Sequence, residues 1–359
     1  MEKSGIKIAG SEEERMKALA GFPALIGALC FGAATTLCGA QSSYTITDLG
    51  VINTNGYSVA TAVNVGGEVT GAAGATSTPT SEVFSYSKGK MTNLGTLGGS
   101  SGIGNAINGS GTIAGYSQNS KSVYRAFMTS GTKLVDIGDL GGGSAVAYGI
   151  NDVGQVVGSA VTADGSNHPF LYSGGTMIDL GTLGSPKGTD WWNVAQGVNN
   201  SGVVVGTSYD KNGNFFGFSY SNAKMTKMGT LGGAWSQANA INSKGQITGV
   251  GYTKNGSAHA FIASCGSCAL KDLGTFAGST STVWGFGIND SGVIVGRSTS
   301  GNTYHAFVYS GGKIKDLNTM IPKGSGWTLI EADGINALGQ IAGQGTHNGA
   351  THGFLLTPQ

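Results

Sequence analysis

Seven times in this chain an Asn is followed three residues later by Gly and seven residues later by a second Gly, at intervals of 43–48 residues. The Asn positions are Asn64, Asn108, Asn151, Asn199, Asn242, Asn289 and Asn336. A self-similar period of this length, made of short apolar runs and turns, marks a solenoid or a propeller. Val or Ile stands directly before each Asn and again five residues after it, so two strands meet at a tight turn. There Asn bonds its own backbone and Gly supplies a positive φ. A Phe follows 11–13 residues after the second Gly in every copy, anchoring a third strand. A fourth strand ends on Leu94, Ile137, Leu180, Met228, Leu273 and Leu317, which is six anchors for seven repeats. The missing one precedes the first repeat, in Ile46-Thr-Asp-Leu49. The pattern therefore predicts an all-β, seven-bladed β-propeller of four-stranded antiparallel blades, with the N-terminal strand closing the last blade and removing the open edges. Ala or Gly stands two and four residues before each Asn, as an innermost strand crowded around an axis requires.

Composition narrows the function classes. The 65 glycines among 359 residues oppose helix, and 11% charged residues with a net charge of +1 leave no basic face for nucleic acid. Residues 1–40 read as a secretory signal peptide: an apolar run after Lys17 ends in Cys38-Gly-Ala40, with Met16 a plausible translation start. The expected mature chain, 41–359, is a monomeric propeller in the periplasm or medium, without a membrane span. Cleavage leaves Cys265 and Cys268, in Cys-Gly-Ser-Cys. A disulfide across that turn suits an oxidising compartment; redox catalysis or half a zinc site are the alternatives, and no second Cys pair or finger-spaced His supports them.

His259-Ala-Phe and His305-Ala-Phe, the variants Arg125-Ala-Phe, His168-Pro-Phe, Gly217-Phe218 and His352-Gly-Phe, and Asp179-Leu-Gly-Thr-Leu-Gly carry a family likeness. Over residues 46–356 the chain resembles the bacterial extracellular repeat proteins named for a His-Ala-Phe (HAF) motif. The resemblance implies export and a repeat fold, with no catalytic residues to transfer. The first repeat departs from it, carrying Glu82-Val-Phe.

Residues present in all seven copies are explained by the fold, so function is sought where the copies differ. All five Trp fall just ahead of the Asn motifs: Trp191 and Trp192, Trp235, Trp284 and Trp327, with Tyr57 at the matching place in the first repeat. The spacing assigns them to connections between one blade's last strand and the next blade's first. Those connections share an end of the ring with loops rich in Gly, Asn and Ser, such as Lys211-Asn-Gly-Asn214 and Lys254-Asn-Gly-Ser257. Flat aromatic faces beside amide donors suit sugar rings, which predicts a glycan- or cell-wall-binding face; the structural reading is that the Trp fill gaps between blades. An extracellular protein-interaction scaffold is the second reading. A glycosidase or lyase is the third, resting on Asp190, Glu331, Asp333, His168, His259, His305 and His352 as scattered acids and bases. No spacing indicates a catalytic residue, a metal ligand set or a cofactor.

Overall fold

The computed structural model of the chain describes residues 43–53, 55–76, 80–186, 192–264, 269–275, 282–300 and 303–359. The expected leader, Asp190, Trp191, Cys265 and Cys268 lie outside the described residues. Seven four-stranded antiparallel sheets follow one another, and in the first six the strand order is the sequence order. Blade 1 runs Gly56–Val63, Val69–Ala75, Glu82–Ser87 and Lys90–Gly95. Blade 7 takes three strands from the C-terminal end, Trp327–Ile335, Ile341–His347 and Ala350–Pro358, and its outermost strand, Tyr44–Asp48, from the N-terminal end. Ile46 pairs with Leu356 and Asp48 with Phe354, so the ring closes as expected.

The core lies between blades. The seven Phe anchors Phe84, Phe127, Phe170, Phe218, Phe261, Phe307 and Phe354 are fully buried. Each shares an apolar cluster with the fourth-strand anchor of the preceding blade: Leu49 with Phe84, Leu94 with Phe127, Leu180 with Phe218, Leu317 with Phe354. Burying a side chain of this size contributes roughly 1.5–3 kcal/mol. The repeated Leu and Phe are thus the adhesive from one repeat to the next.

The two glycines of the motif have different causes. The first has φ between +73° and +81° in every copy, a conformation that costs a side chain strain. The second stands where a Cβ would lie 1.9–2.1 Å from the carbonyl oxygen of the innermost strand, as at Gly71 against Val59 and Gly296 against Trp284. That close approach sits beside a β-bulge present in every blade. The residue three before the Asn is skipped in the register between the first and second strands: Thr61, Asn105, Tyr148, Gln196, Asn239, Phe286 and Asp333. Bulges re-aim side chains, and these seven line a cavity of 270 Å³ ringed by all seven innermost strands.

Candidate functional site

The residues common to all blades are occupied in holding the ring together. Each motif Asn is 4–7% exposed and donates from Nδ2 to the backbone oxygen of the next blade's motif Asn, at 2.8–3.2 Å. The seven bonds form a closed circle, Asn336 returning to Asn64. Its Oδ1 meanwhile accepts amides of its own turn, as from Gly66 and Glu68 at 3.0 Å.

The first residue of the His-Ala-Phe motif is equally accounted for. It reaches diagonally across the outer hairpin to the residue opposite the Phe: His168 to Asp179, His259 to Asp272 and His352 to Asp48 at 2.9 Å, His305 to Asp316 at 2.7 Å. Blade 2 substitutes Arg125 on Asp136 at 2.8 Å, and blade 1 reverses the polarity with Glu82 accepting from Asn93 at 2.7 Å. Blade 4 places the Lys227 ammonium 3.2 Å from the Phe216 ring centre. These His stand on separate blades, each against its own blade's Asp.

The aromatic residues break the symmetry. Trp235 lies in Gly232–Ile241, Trp284 in Val283–Ile288 and Trp327 in Trp327–Ile335, so the innermost strands extend further than expected; only Trp192 among these stays in a connection. Glycines such as Gly142 and Gly233 make this possible, because a Cβ there would meet the paired strand's carbonyl at 2.5 and 2.4 Å. Three expected residues form one chain of rings through Phe215: Trp192 to Phe215 at 6.3 Å, Phe215 to Trp235 at 5.9 Å, Trp235 to Trp284 at 6.2 Å. Tyr209 and Tyr252 flank it at 5.3 and 4.3 Å. Trp192 is 38% exposed, and the other rings are half-buried. The hairpin bearing Phe215 displays Asn212 and Asn214 to solvent, held by Asp210, which accepts both their backbone amides. Partial burial works to raise the Asp210 carboxyl, but the Lys227 ammonium at 3.0 Å and those amides outweigh it and bring it to about 2. Tyr57 and Trp327 make no ring contact with this chain among the described residues. Tyr57 donates to the Thr80 oxygen, and Trp327 stacks on His347.

Beyond Trp284 the surface turns polar. Arg297, paired across from Trp284, reaches Glu331 at 3.2 Å and lies under the Tyr304 ring, 4.6 Å from its centre. Glu331 is 5% exposed and also accepts from Gln344 at 3.2 Å. Arg297 Nε and Gln344 Oε1 are buried without a partner among the described residues. Of the acids the sequence singled out, Glu331 is therefore bound in an ion pair, while Asp333 lines the axial cavity. Phe215, Arg297 and Gln344 were missed. For Arg297 and Gln344 a signal was available: the position eight after the Asn is Ala72, Tyr116, Ser159, Thr207 or Val250 in the other blades, and charged or amide-bearing only in blades 6 and 7.

No protein-family model and no curated protein sequence matches this chain. Solved propellers do. The β-propeller domain of the Trilobed protease from Pyrococcus furiosus, described as having an open velcro topology, superposes with a TM-score of 0.54 at 12% identity, over 83% of this chain and 95% of that one. An oligogalacturonate lyase in complex with manganese gives 0.54 at 10% identity, over 89% and 95%. TolB from Acinetobacter baumannii gives 0.48 at 13% identity over 73% of this chain, which spans 63% of that protein. At such identities the likeness establishes the fold and nothing finer.

Proposed function

We propose that this chain is an exported, non-enzymatic binding module of the His-Ala-Phe repeat kind, taking a glycan on the aromatic end of blades 4–6. The observation that carries the reading is the unbroken run Trp192–Phe215–Trp235–Trp284, half open to solvent. Sugar rings stack their C–H faces on such surfaces, and the exposed amides of Asn212 and Asn214 supply planar hydrogen-bonding groups. Export is supported by the leader pattern of residues 1–40, and among the described residues no helix is long and apolar enough to cross a membrane. The non-enzymatic reading is preferred because His168, His259, His305 and His352 stand on four separate blades, each with its own Asp, and so do not converge on one site.

The test is a polysaccharide panel read by affinity electrophoresis and calorimetry. Trp235→Ala should weaken binding about tenfold, the scale of a lost ring contact. Tyr124→Ala on blade 2, 39% exposed and away from the run, should leave it unchanged. A folded wild-type chain that retains no glycan, or equal binding by the Trp235 variant, refutes the reading and favours a protein partner.

A further inference from the structure

Among the described residues, blade 7 carries a group that no other blade repeats. In the blades with a His-Ala-Phe histidine, one imidazole faces one carboxylate. At the ring seam two imidazoles face the same one: His347 Nδ1 and His352 Nδ1 each lie 2.9 Å from Asp48. The three donor atoms all lie within 4.8 Å of one another. His347 is brought there by a two-residue hairpin, Asn348-Gly349, both at positive φ (50° and 87°), the conformation that Asn-Gly favours. Its ring plane is set by Trp327, stacked 4.6 Å away at an interplanar angle of 5°.

We propose that Asp48, His347 and His352 bind one divalent transition-metal ion, which ties the N-terminal strand into the last blade. The inference is independent of the glycan reading. Two imidazole nitrogens and one carboxylate oxygen are a donor set for zinc, nickel, copper or iron(II), whereas calcium and magnesium take oxygen-only shells. Ligand bonds of about 2.0–2.2 Å place donors roughly 3.3 Å apart, so the present 2.9 Å contacts open slightly as the ion enters. The protons on Nδ1 move to Nε2 on coordination. The His347 Nε2, now 3.2 Å from the Asn348 side-chain nitrogen, then faces that amide turned over to present oxygen. The three side chains are 31%, 23% and 19% exposed, leaving remaining coordination positions to water. A second histidine adds nothing to a pairing that blades 3, 5 and 6 make with one. It does complete a ligand set. Asp48 belongs to the N-terminal strand while both histidines lie in strands near the C-terminus, so an ion there cross-links elements about 300 residues apart in sequence.

The test uses tag-free full chain and Zn²⁺ alone, followed by calorimetry and thermal melting, with Co²⁺ absorption as a second readout. One ion per chain is expected, with a melting temperature raised by roughly 3–5 °C at a hundredfold excess over Kd, and no response to Mg²⁺. His347→Gln leaves the single His352–Asp48 pair that other blades live with; it should fold and lose the ion. His259→Gln, which breaks an ordinary pair in blade 5, should keep it. Failure of the wild type to bind, or binding that survives His347→Gln, overturns the proposal.

Discussion

Replacing Asn336 by Asp separates two roles that the sequence motif conflates. Asn336 donates from Nδ2 to the Asn64 oxygen and to Gln340 Oε1, both at 2.8 Å, and its Oδ1 accepts the amides of Leu338 and Gln340 at 3.0 and 2.9 Å. Alanine loses all four bonds, which at about 1 kcal/mol each costs about 4 kcal/mol. Aspartate keeps both amide contacts and caps such a turn as well as asparagine does, so a residue serving only its own turn would be replaced without loss. Its carboxylate cannot donate. The Gln340 amide can turn over to compensate, but the Asn64 carbonyl is left facing a negative oxygen in a buried place. The carbonyl keeps the Gly67 amide at 3.0 Å, so the cost is the lost bond and the oxygen–oxygen repulsion, about 2 kcal/mol, which for a chain of this length is a fall of roughly 3 °C in melting temperature. Scanning calorimetry of the wild type, Asn336→Ala and Asn336→Asp reads the difference. Near-wild-type stability of the Asp variant beside a destabilised Ala variant would show that the circle of inter-blade bonds contributes nothing.

Two further outcomes follow from the polar groups. The Asp210 carboxyl, held at about 2, contributes stability that is fully present above its unfolded value near 4 and is lost as pH falls through its folded value. Asp210→Asn should therefore flatten acid unfolding between about pH 4 and pH 2 in a fluorescence titration, with no effect at neutral pH on that slope. Arg297→Met should lower stability by about 3–5 kcal/mol in denaturant titrations, because it breaks a largely buried ion pair and leaves Glu331 buried without its partner, and Glu331→Gln should cost less.

The ring was legible because its determinants are local and repeated. Phe84 through Phe354, the Leu anchors and the Ile46–Leu49 segment each announce a strand and its buried face, and seven copies in phase leave one architecture. The partners of the repeated polar residues were less legible. Asn64 bonds the same residue of the next copy, 44 residues away, and a pattern read along one repeat assigns the side chain to its own turn. The His–Asp pairing could have been found inside the sequence, since Arg125 with Asp136, Glu82 with Asn93 and Phe216 with Lys227 change together. The strand position of Trp235 was hidden by Gly232 and Gly233, which read as loop; at Gly233, what glycine supplies is room for the neighbouring strand's backbone. His347 was visible as His-Asn-Gly-Ala-Thr-His, two histidines on either side of a hairpin turn, but it stands outside the repeat pattern that directed attention elsewhere.

Two rungs of the innermost strands show how an exact scaffold yields different chemistries. Trp284 and Trp327 both lie on innermost strands, five and nine residues before their motif Asn, and each faces a residue of the second strand in register, Arg297 in blade 6 and His347 in blade 7. The backbone of these strands is fixed by the bulge, by the buried Phe and by the Asn circle at the far end of the strand, none of which depends on which residue carries the aromatic ring. The partner on the second strand is therefore free to differ. In blade 6 it is a guanidinium that joins the ring surface to the buried Glu331, extending the aromatic run into a polar border. In blade 7 it is an imidazole that the indole orients toward Asp48. Equivalent strands, twisted and anchored alike, hold a stacking surface at one rung of blade 6 and a ligand set at a rung farther from the Asn in blade 7, because what the seven copies share is the geometry and what they vary is where an aromatic ring falls and which side chain stands opposite it.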